Sequence, residues 1–350
     1  MNTILVTGGA GFIGSHTSLM LLEKGYEVLI IDSFQNSSPK VIERIKKIVN
    51  EENGNLSKKL NFLKADLTDF SLINDVFLKQ KSIGKPITGV IHFAGLKAIN
   101  ESINYPLRYW DINLLSTINL LKVMNSNNCK NIVFSSSASV YGLTDQRYIS
   151  EDSKLCPINP YGRTKLTIEN ILKDLFESSS KEWKITNLRY FNPIGAHPSG
   201  LIGENPLGTP NNIFPLIIEV ASGNLENLKI YGSDWPTKDG TGIRDYIHVM
   251  DVAESHIKVL EFLMNSEPVY LCLNIGTGIG TSVLELVKTF ERVNNVKVPY
   301  FFEKRRLGDA AFVVADNSLL ISKMNIYPKM NIEDMCRDGW RWKKKNPNGF

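Results

Sequence analysis

Residues 3–32, "TILVTGGAGFIGSHTSLMLLEKGYEVLIID", constrain the fold more than any other part of the chain. "ILVTG" is short, apolar and β-branched, as a strand buried on both faces should be. After the glycine turn, Phe12, Ile13, Leu19, Leu21 and Leu22 give a broadly apolar helix that Gly25 ends, and "YEVLIID" is a second strand. Gly8, Gly11 and Gly14 each have a physical task in such a setting. One permits the tight turn, one lets the backbone approach a pyrophosphate, and one lets the helix pack against the strand. Phe12 and Ile13 open the helix with free N–H groups and a dipole that favours phosphate. Gly9, Gly11 and Gly14 also satisfy Gly-x-Gly-x-x-Gly, a pattern that gains meaning from the strand before it and the helix after it. Asp32 ends the second strand, where a carboxylate accepts both hydroxyls of an adenosine ribose. It would repel a 2′-phosphate, and no Arg lies between Ser33 and Pro39 to offset this, so the expected cofactor is NAD rather than NADP.

The α/β alternation continues. "LNFLKADLTD" ends a strand with Asp66, placed to meet an adenine, and "ITGVIHFAGLKA" is a buried strand opening into Phe93, Ala94 and Gly95. "NIVFSSSASVYG" is another strand with three serines, Ser135 to Ser137, at its C-terminal end. Ligands of an open parallel sheet bind beyond the carboxyl ends of its strands, which places the serines and Lys97 near a nicotinamide. In "PYGRTKLTIENILKDLFESS", Leu166, Ile168, Ile171, Leu172 and Leu175 recur at helical spacing and Pro160 suits the first turn. Tyr161 and Lys165, four residues apart, therefore share one face of a helix. A phenol with a pKa near ~10 is a poor base at neutral pH, but an ammonium one turn away favours the phenolate. With a strand-end serine to share the proton, the set is a general base for a substrate hydroxyl. Tyr300 and Lys304 repeat the spacing in "YFFEK", an aromatic stretch that reads as a strand.

The totals fit a soluble globular protein. The 350 residues are 43% hydrophobic and 22% charged, enough for a large core plus a smaller companion. The net charge of +4 is spread out, and the one basic cluster, "RWKKKNP", reads as a solvated end rather than a nucleic-acid surface. Cys129, Cys156, Cys272 and Cys336 lie far apart and are expected as free thiols in a reducing compartment. The five histidines show no ligand spacing, so no metal is expected. No apolar run reaches the ~18 residues of a membrane helix. The N-terminus enters a strand at once, leaving no room for a targeting signal. The expected setting is the cytosol.

Eight blocks, "VTGGAGFIGSH", "VIHFAGLKAINES", "FSSSASVYG", "PYGRTK", "LRYFNPIGAHPSG", "PNNIFP", "DGTGIRDYIHVMDVA" and "NIGTG", carry a resemblance over nearly the whole chain. They resemble the extended short-chain dehydrogenase/reductase family and, within it, the UDP-hexose 4-epimerases. "HFAGLKA", "RYFNPIGAHPSG" and "GTGIRDYIHV" are the most specific of them. The departure is a longer segment near "KIVNEENGNLSKK", which reads as a surface insertion. The resemblance implies an α/β fold: a Rossmann-type doubly wound parallel sheet over residues 1–190, with a returning segment near 243–275. A smaller C-terminal α/β substrate domain over 191–350 follows. It implies reversible epimerisation at C4 of UDP-glucose and UDP-galactose through a 4-keto sugar, with bound NAD taking hydride and returning it to the opposite face. Family members are usually homodimers.

The same resemblance assigns roles. Ser137 bonds the 4-hydroxyl, Tyr161 takes its proton, and Lys165 both lowers the Tyr161 pKa and holds the nicotinamide ribose. Asp66, Leu67, Phe93, Ala94, Gly95, Lys97, Asn113, Ser135, Tyr190 and Phe191 are carried over as cofactor contacts, and Lys97 also as a substrate contact. Arg244 and Arg306 suit a diphosphate, whose oxygens a guanidinium matches two at a time. Asn192, Asn212, Tyr231 and Asp309 match positions that touch sugar or nucleotide, while Tyr246 is either a contact or a packing residue. Val313 aligns with the position facing the hexose 2-substituent, and its small side chain leaves room for an N-acetyl group, as in UDP-GlcNAc and UDP-GalNAc. One rival is a sugar-nucleotide 4,6-dehydratase, whose elimination needs an acidic pair where this chain has Ala138-Ser139. Another is a non-catalytic NAD-sensing protein, which has no need of Ser137, Tyr161 and Lys165 together.

Overall fold

The computed structural model describes residues 3–52, 55–178, 182–208, 210–306 and 308–350. In chain order the elements are β1 (Thr3–Thr7), α1 (Phe12–Glu23), β2 (Glu27–Asp32), α2 (Lys40–Glu52), β3 (Leu60–Lys64), α3 (Phe70–Ser82), β4 (Ile87–His92), α4 (Ile99–Asn104), α5 (Pro106–Ser126), β5 (Asn131–Ser137), α6 (Pro160–Ser178) and β6 (Lys184–Tyr190). There follow β7 (Asn192–Ile194), α7 (Ile213–Ala221), β8 (Leu228–Tyr231), β9 (Ile243–His248), α8 (Val249–Asn265), β10 (Val269–Ile275), β11 (Gly280–Ser282), α9 (Val283–Asn294), β12 (Tyr300–Glu303), β13 (Phe312–Val313), α10 (Ser318–Met324) and α11 (Ile332–Lys345).

Seven strands form one sheet in the order β10-β6-β5-β4-β1-β2-β3. β1 pairs in parallel with β2 on one side, Leu5 opposite Leu29, and with β4 on the other, Leu5 opposite Val90. The strand order reverses at this point, so a crevice opens at the carboxyl ends of β1 and β4. Every residue of β1 and β2 is buried, which is why both read as nearly unbroken apolar runs. One core cluster joins Leu5, Ile31, Val90 and Phe134 of the sheet to Leu120 and Val123 of α5 and Ile168 and Leu172 of α6. Each such side chain contributes about 1.5–3 kcal/mol on burial.

The segment expected to be a polar insertion differs in its first half. Ile48 and Val49 are buried on the inner side of α2, and the helix runs on to Glu52. Its other inward residues, Val41, Ile42 and Ile45, lie at the i, i+1, i+4 positions of an amphipathic helix, a period hidden when only its charged end is read.

Two compact units emerge. The first comprises Met1–Gly142, Leu155–Arg189 and Ala253–Leu273; the second comprises Leu143–Lys154, Tyr190–Val252 and Asn274–Phe350. The second unit contains a small sheet, β11-β9-β13 with β7 also on β9, and the parallel pair β12-β8. Phe214, Ile217, Leu286, Val287, Phe290, Met335 and Trp340 belong to its own core. Asp245 of β9 holds this unit's loops together: Oδ1 accepts from the Thr277 N–H (2.8 Å) and hydroxyl (2.7 Å), and Oδ2 from the Gly278 (2.9 Å) and Ala315 (3.2 Å) N–H groups. The "NIGTG" block follows from this, because a Cβ at Gly276 would come within 2.5 Å of the Asp245 carboxylate.

Candidate active site

The glycine turn after β1 is built for close approach. Gly8 has φ of 67°, and a Cβ there would lie 2.7 Å from the Ala94 nitrogen. A Cβ at Gly14 would meet the Gly8 carbonyl at 2.3 Å, so only glycine lets α1 dock on the turn. At Gly11 a Cβ would lie 3.3 Å from that same carbonyl, a milder crowding that a small shift of the turn would relieve. Gly11 N-caps α1 with no side-chain bond, and no acidic residue stands in the first turn. The N–H groups that open α1, Phe12 and Ile13 among them, thus face an anion without competition from a cap. A dinucleotide's pyrophosphate fits this cradle.

Asp32 is buried at the end of β2. Its Oδ2 accepts from the Ala10 N–H at 2.9 Å, and Oδ1 accepts from the Phe34 N–H and the Ser37 hydroxyl, each at 2.9 Å. Phe34 has φ of 57°, a region bulky side chains rarely enter, and its bond to Asp32 helps hold it there. Ser37 was missed in the sequence because it follows no strand; its proximity to Asp32 appears only in three dimensions. Asp66 is exposed and accepts from the Thr68 N–H (2.9 Å) and hydroxyl (2.8 Å), and Leu67 is buried beside it.

The loop after β4 is held by a proton-ordered chain. The Thr117 hydroxyl donates to the Asn113 carbonyl at 2.8 Å, so it must accept from His92 Nε2 at 3.0 Å. His92 therefore carries its hydrogen on Nε2, and Nδ1 accepts from the Thr7 hydroxyl at 2.7 Å. Burial, with the Lys165 charge adding to it, pushes the imidazole down to about 3, so it is neutral. Asn113 completes the support. Its Oδ1 accepts from the Leu96 N–H at 2.7 Å, and both Nδ2 hydrogens go to the Leu96 carbonyl (3.1 Å) and the Thr164 hydroxyl (3.2 Å). Asn113 thus shapes the loop of Ala94, Gly95 and Lys97 with its amide donors fully used. Phe93 packs on His256, ring centres 4.7 Å apart.

The three candidate catalytic residues come together at the end of β5. Asn159 caps α6 by accepting the Gly162 N–H at 2.8 Å. Gly162 lets the helix press on the turn after β5, where a Cβ would lie 2.7 Å from the Ser139 carbonyl. The Tyr161 phenol lies beside Ser137, whose Oγ donates to the Ser139 hydroxyl at 3.1 Å and accepts the Ser139 N–H at 3.2 Å. Lys165 donates to the Ser135 carbonyl at 2.6 Å, its Nζ 4.7 Å from the centre of the Phe134 ring and 5.9 Å from that of Tyr161. Burial pulls Lys165 down to about 8, partly offset by the Glu169 carboxylate.

The expected lowering of the Tyr161 pKa by Lys165 is not what this structure has. Burial pushes the phenol above its ordinary value, opposed by the hydrogen bond with Ser137. The ammonium is turned to a backbone carbonyl instead, which satisfies a charge in a dry place. The Ser136 hydroxyl donates to Glu169.

In the second unit, Tyr190 and Phe191 are buried, and the Phe191 N–H donates to the Ile275 carbonyl at 3.0 Å. Asn192 pairs with Tyr246 across β7 and β9, and Asn212 N-caps α7 without using its side chain. Tyr246 packs in this unit's core with its hydroxyl buried. Arg244 donates to the carbonyls of Ile243 (2.8 Å) and Ala310 (2.9 Å) and pairs with Asp309 at 3.3 Å. Arg306 lies flat over the Tyr231 ring, 3.8 Å from its centre. Val313 sits opposite Arg244 between β13 and β9 and is partly exposed. Among the described residues no cluster could hold a metal ion, and no helix is long and apolar enough to cross a membrane.

Known proteins agree with this layout. Residues 5–339 match the family described as GDP-mannose 4,6 dehydratase. The UDP-glucose 4-epimerase of Bacillus subtilis is 49% identical, the match covering 99% of this chain and 98% of that protein. UDP-glucose 4-epimerase 2 of Arabidopsis thaliana is also 49% identical over 99% of this chain and 97% of its own. The structure of the Stenotrophomonas maltophila UDP-glucose-4-epimerase, with bound NAD and formylated UDP-arabinopyranose, superposes with a TM-score of 0.93 at 43% identity over 99% of both chains. That of Bifidobacterium longum, in complex with NAD+ and UDP, gives 0.91 at 44% identity over the whole of both. The acidic pair an elimination would need is absent at Ala138-Ser139. The chain belongs to the UDP-glucose 4-epimerases of the extended short-chain dehydrogenase/reductase family.

Proposed function

We propose that this chain interconverts UDP-glucose and UDP-galactose by reversible inversion at C4, with NAD held in the first unit. The observation that carries the reading is the meeting of Ser137, Tyr161 and Lys165 at the end of β5, in the sheet whose glycine cradle fits a pyrophosphate. NAD, when bound, takes up the C4 hydrogen with its electron pair and gives it back.

The chain's own residues handle the proton. A 4-hydroxyl bonded to Ser137 Oγ hands its proton to the Tyr161 oxygen as the carbonyl forms, and receives it again on reduction. The Ser137 hydroxyl is the group that favours the phenolate here, while the Lys165 ammonium, one turn away, is held on the Ser135 carbonyl. Asp32 receives the adenosine ribose, with Asp66 and Leu67 beside the adenine, and the supported loop from Phe93 to Lys97 lies against the nicotinamide side. Because oxidation and reduction cancel, NAD is not consumed.

In the second unit, Arg306 stacked on Tyr231, together with Arg244, forms the diphosphate and base site, with Asn192 and Asn212 contributing. The Arg244–Asp309 pair is partly exposed and contributes about 0–1 kcal/mol, so a doubly charged diphosphate displaces it readily. Val313 supports room at the hexose 2-position and hence turnover of UDP-GlcNAc and UDP-GalNAc. A Val313→Tyr variant is expected to lose activity on the acetylated pair alone, read by comparing kcat/KM for both pairs. The exposed apolar residues Ile99, Ile103, Leu107 and Leu115 on α4 and α5 support a homodimer. The four unpaired thiols support a reducing, cytoplasmic setting.

The direct test is to incubate the purified protein with UDP-galactose and assay for UDP-glucose, without and then with added NAD. Conversion in the first arm is the expected result; no conversion in either arm overturns the reading.

A further inference from the structure

α6 carries a third ionisable residue on the face that bears Tyr161 and Lys165. Glu169 stands one turn beyond Lys165 and is 2% exposed. Its carboxylate is fully engaged. Oε1 accepts from Arg189 Nε at 3.0 Å and from the Ser136 hydroxyl, and Oε2 accepts from Arg189 Nη2 at 2.6 Å. Arg189, on β6, also donates from Nη1 to the Tyr141 hydroxyl at 3.0 Å, and its guanidinium lies 5.1 Å from the centre of that ring. The Tyr270 hydroxyl, on β10, donates to the Glu169 backbone carbonyl at 3.1 Å.

One carboxylate therefore ties α6 to β5, β6 and the turn after β5, the segments that present Ser137, Tyr161 and Lys165. The register of helix on strand is fixed at two adjacent points, Lys165 on the Ser135 carbonyl and Glu169 on the Ser136 hydroxyl. A buried ion pair is a poor source of stability, since apolar residues of the same volume often do as well or better. Its place in this fold calls for another explanation.

We propose that Glu169, clamped by Arg189, is a positioning residue for the reaction: it fixes α6 against the end of β5 and sets a negative charge one turn from the Lys165 ammonium. This rests on the epimerase reading above. The titratable and charged groups around Lys165 are Tyr161 and Glu169 on its own helix, neutral His92 on β4, and Arg189 on β6 behind Glu169. Tyr141, Tyr270 and Cys272 face the Glu169–Arg189 pair, and burial holds the Tyr270 phenol and the Cys272 thiol above their ordinary values. Among the described residues Glu169 is the anion that acts on Lys165, and it opposes the burial that favours loss of the proton.

The test compares the parent with Glu169→Gln and with the doubly neutral Glu169→Gln/Arg189→Gln, which leaves no lone buried cation if the single variant fails to fold. The readouts are kcat and KM for UDP-galactose across pH, and the Lys165 Nζ titration by NMR, assigned with Lys165→Arg. In both variants kcat is expected to fall about 10–100-fold with KM nearly unchanged, because small displacements of reacting groups are that costly. The alkaline limb of kcat and the Lys165 midpoint are both expected to move to lower pH. A folded double variant with parental kcat and pH limb overturns the proposal. So does a loss of kcat with the Lys165 midpoint unmoved, which would mark a merely structural pair. A parent that does not epimerise overturns the functional reading instead, and the NMR midpoint still decides the role of Glu169.

Discussion

His92 is neutral because both its nitrogens are assigned by the hydroxyls around it, one accepting and one donating, inside a site too dry for a second proton. The unfolded chain takes up that proton below its ordinary pKa of about 6.5, while the folded protein resists down to about 3. The stabilisation is complete above the first value and is lost as pH falls toward the second. Urea unfolding at about pH 7 and about pH 4.5 should therefore show a larger acid loss in the parent than in His92→Gln. Tyr161→Phe keeps the packing of the ring and removes the oxygen proposed to take the substrate proton. Its kcat is expected to drop by about 10²–10⁴-fold with the fold intact by circular dichroism. At this scale the sequence shows which residues matter better than it shows their state. The four-residue spacing placed Tyr161 and Lys165 side by side, yet the direction in which Lys165 points depends on the Ser135 carbonyl, one strand away.

Among the elements, α1 and α6 both dock through a glycine, and at the start of α1 two glycines differ in what they serve. Gly14→Ala drives a methyl into the Gly8 carbonyl and should destabilise the protein by about 2–3 kcal/mol. Gly11→Ala crowds the same carbonyl less closely, at 3.3 Å, and should cost less stability than Gly14→Ala, yet lose NAD affinity because the methyl would stand in the proposed pyrophosphate cradle. Chemical unfolding alongside NAD titration by calorimetry checks both. The β1–α1–β2 unit was legible because a two-sided buried strand, a glycine turn and an apolar helix are all local patterns. The Glu169–Arg189 pair and the Asp245 hub were not, since each joins residues that are remote in sequence. Gly162 lay in plain view within "PYGRTK", but its reason, the Ser139 carbonyl, belongs to another segment. The inward face of α2 was obscured by the charged residues that end it.

For the whole molecule, the exposed apolar residues of α4 and α5 bear on assembly. Leu107 is 81% exposed, so replacing it by Glu removes no internal contact of consequence, and Leu107→Glu should turn the proposed homodimer into a folded monomer by sedimentation velocity. Each compact unit is stitched from three separate stretches of chain, which leaves five junctions between them. A unit sewn in this way cannot be inherited as a cassette. A single crossover between two related genes would splice mismatched halves of both units at once, so changes in what either unit binds are expected to accumulate by point substitution rather than by exchange of parts.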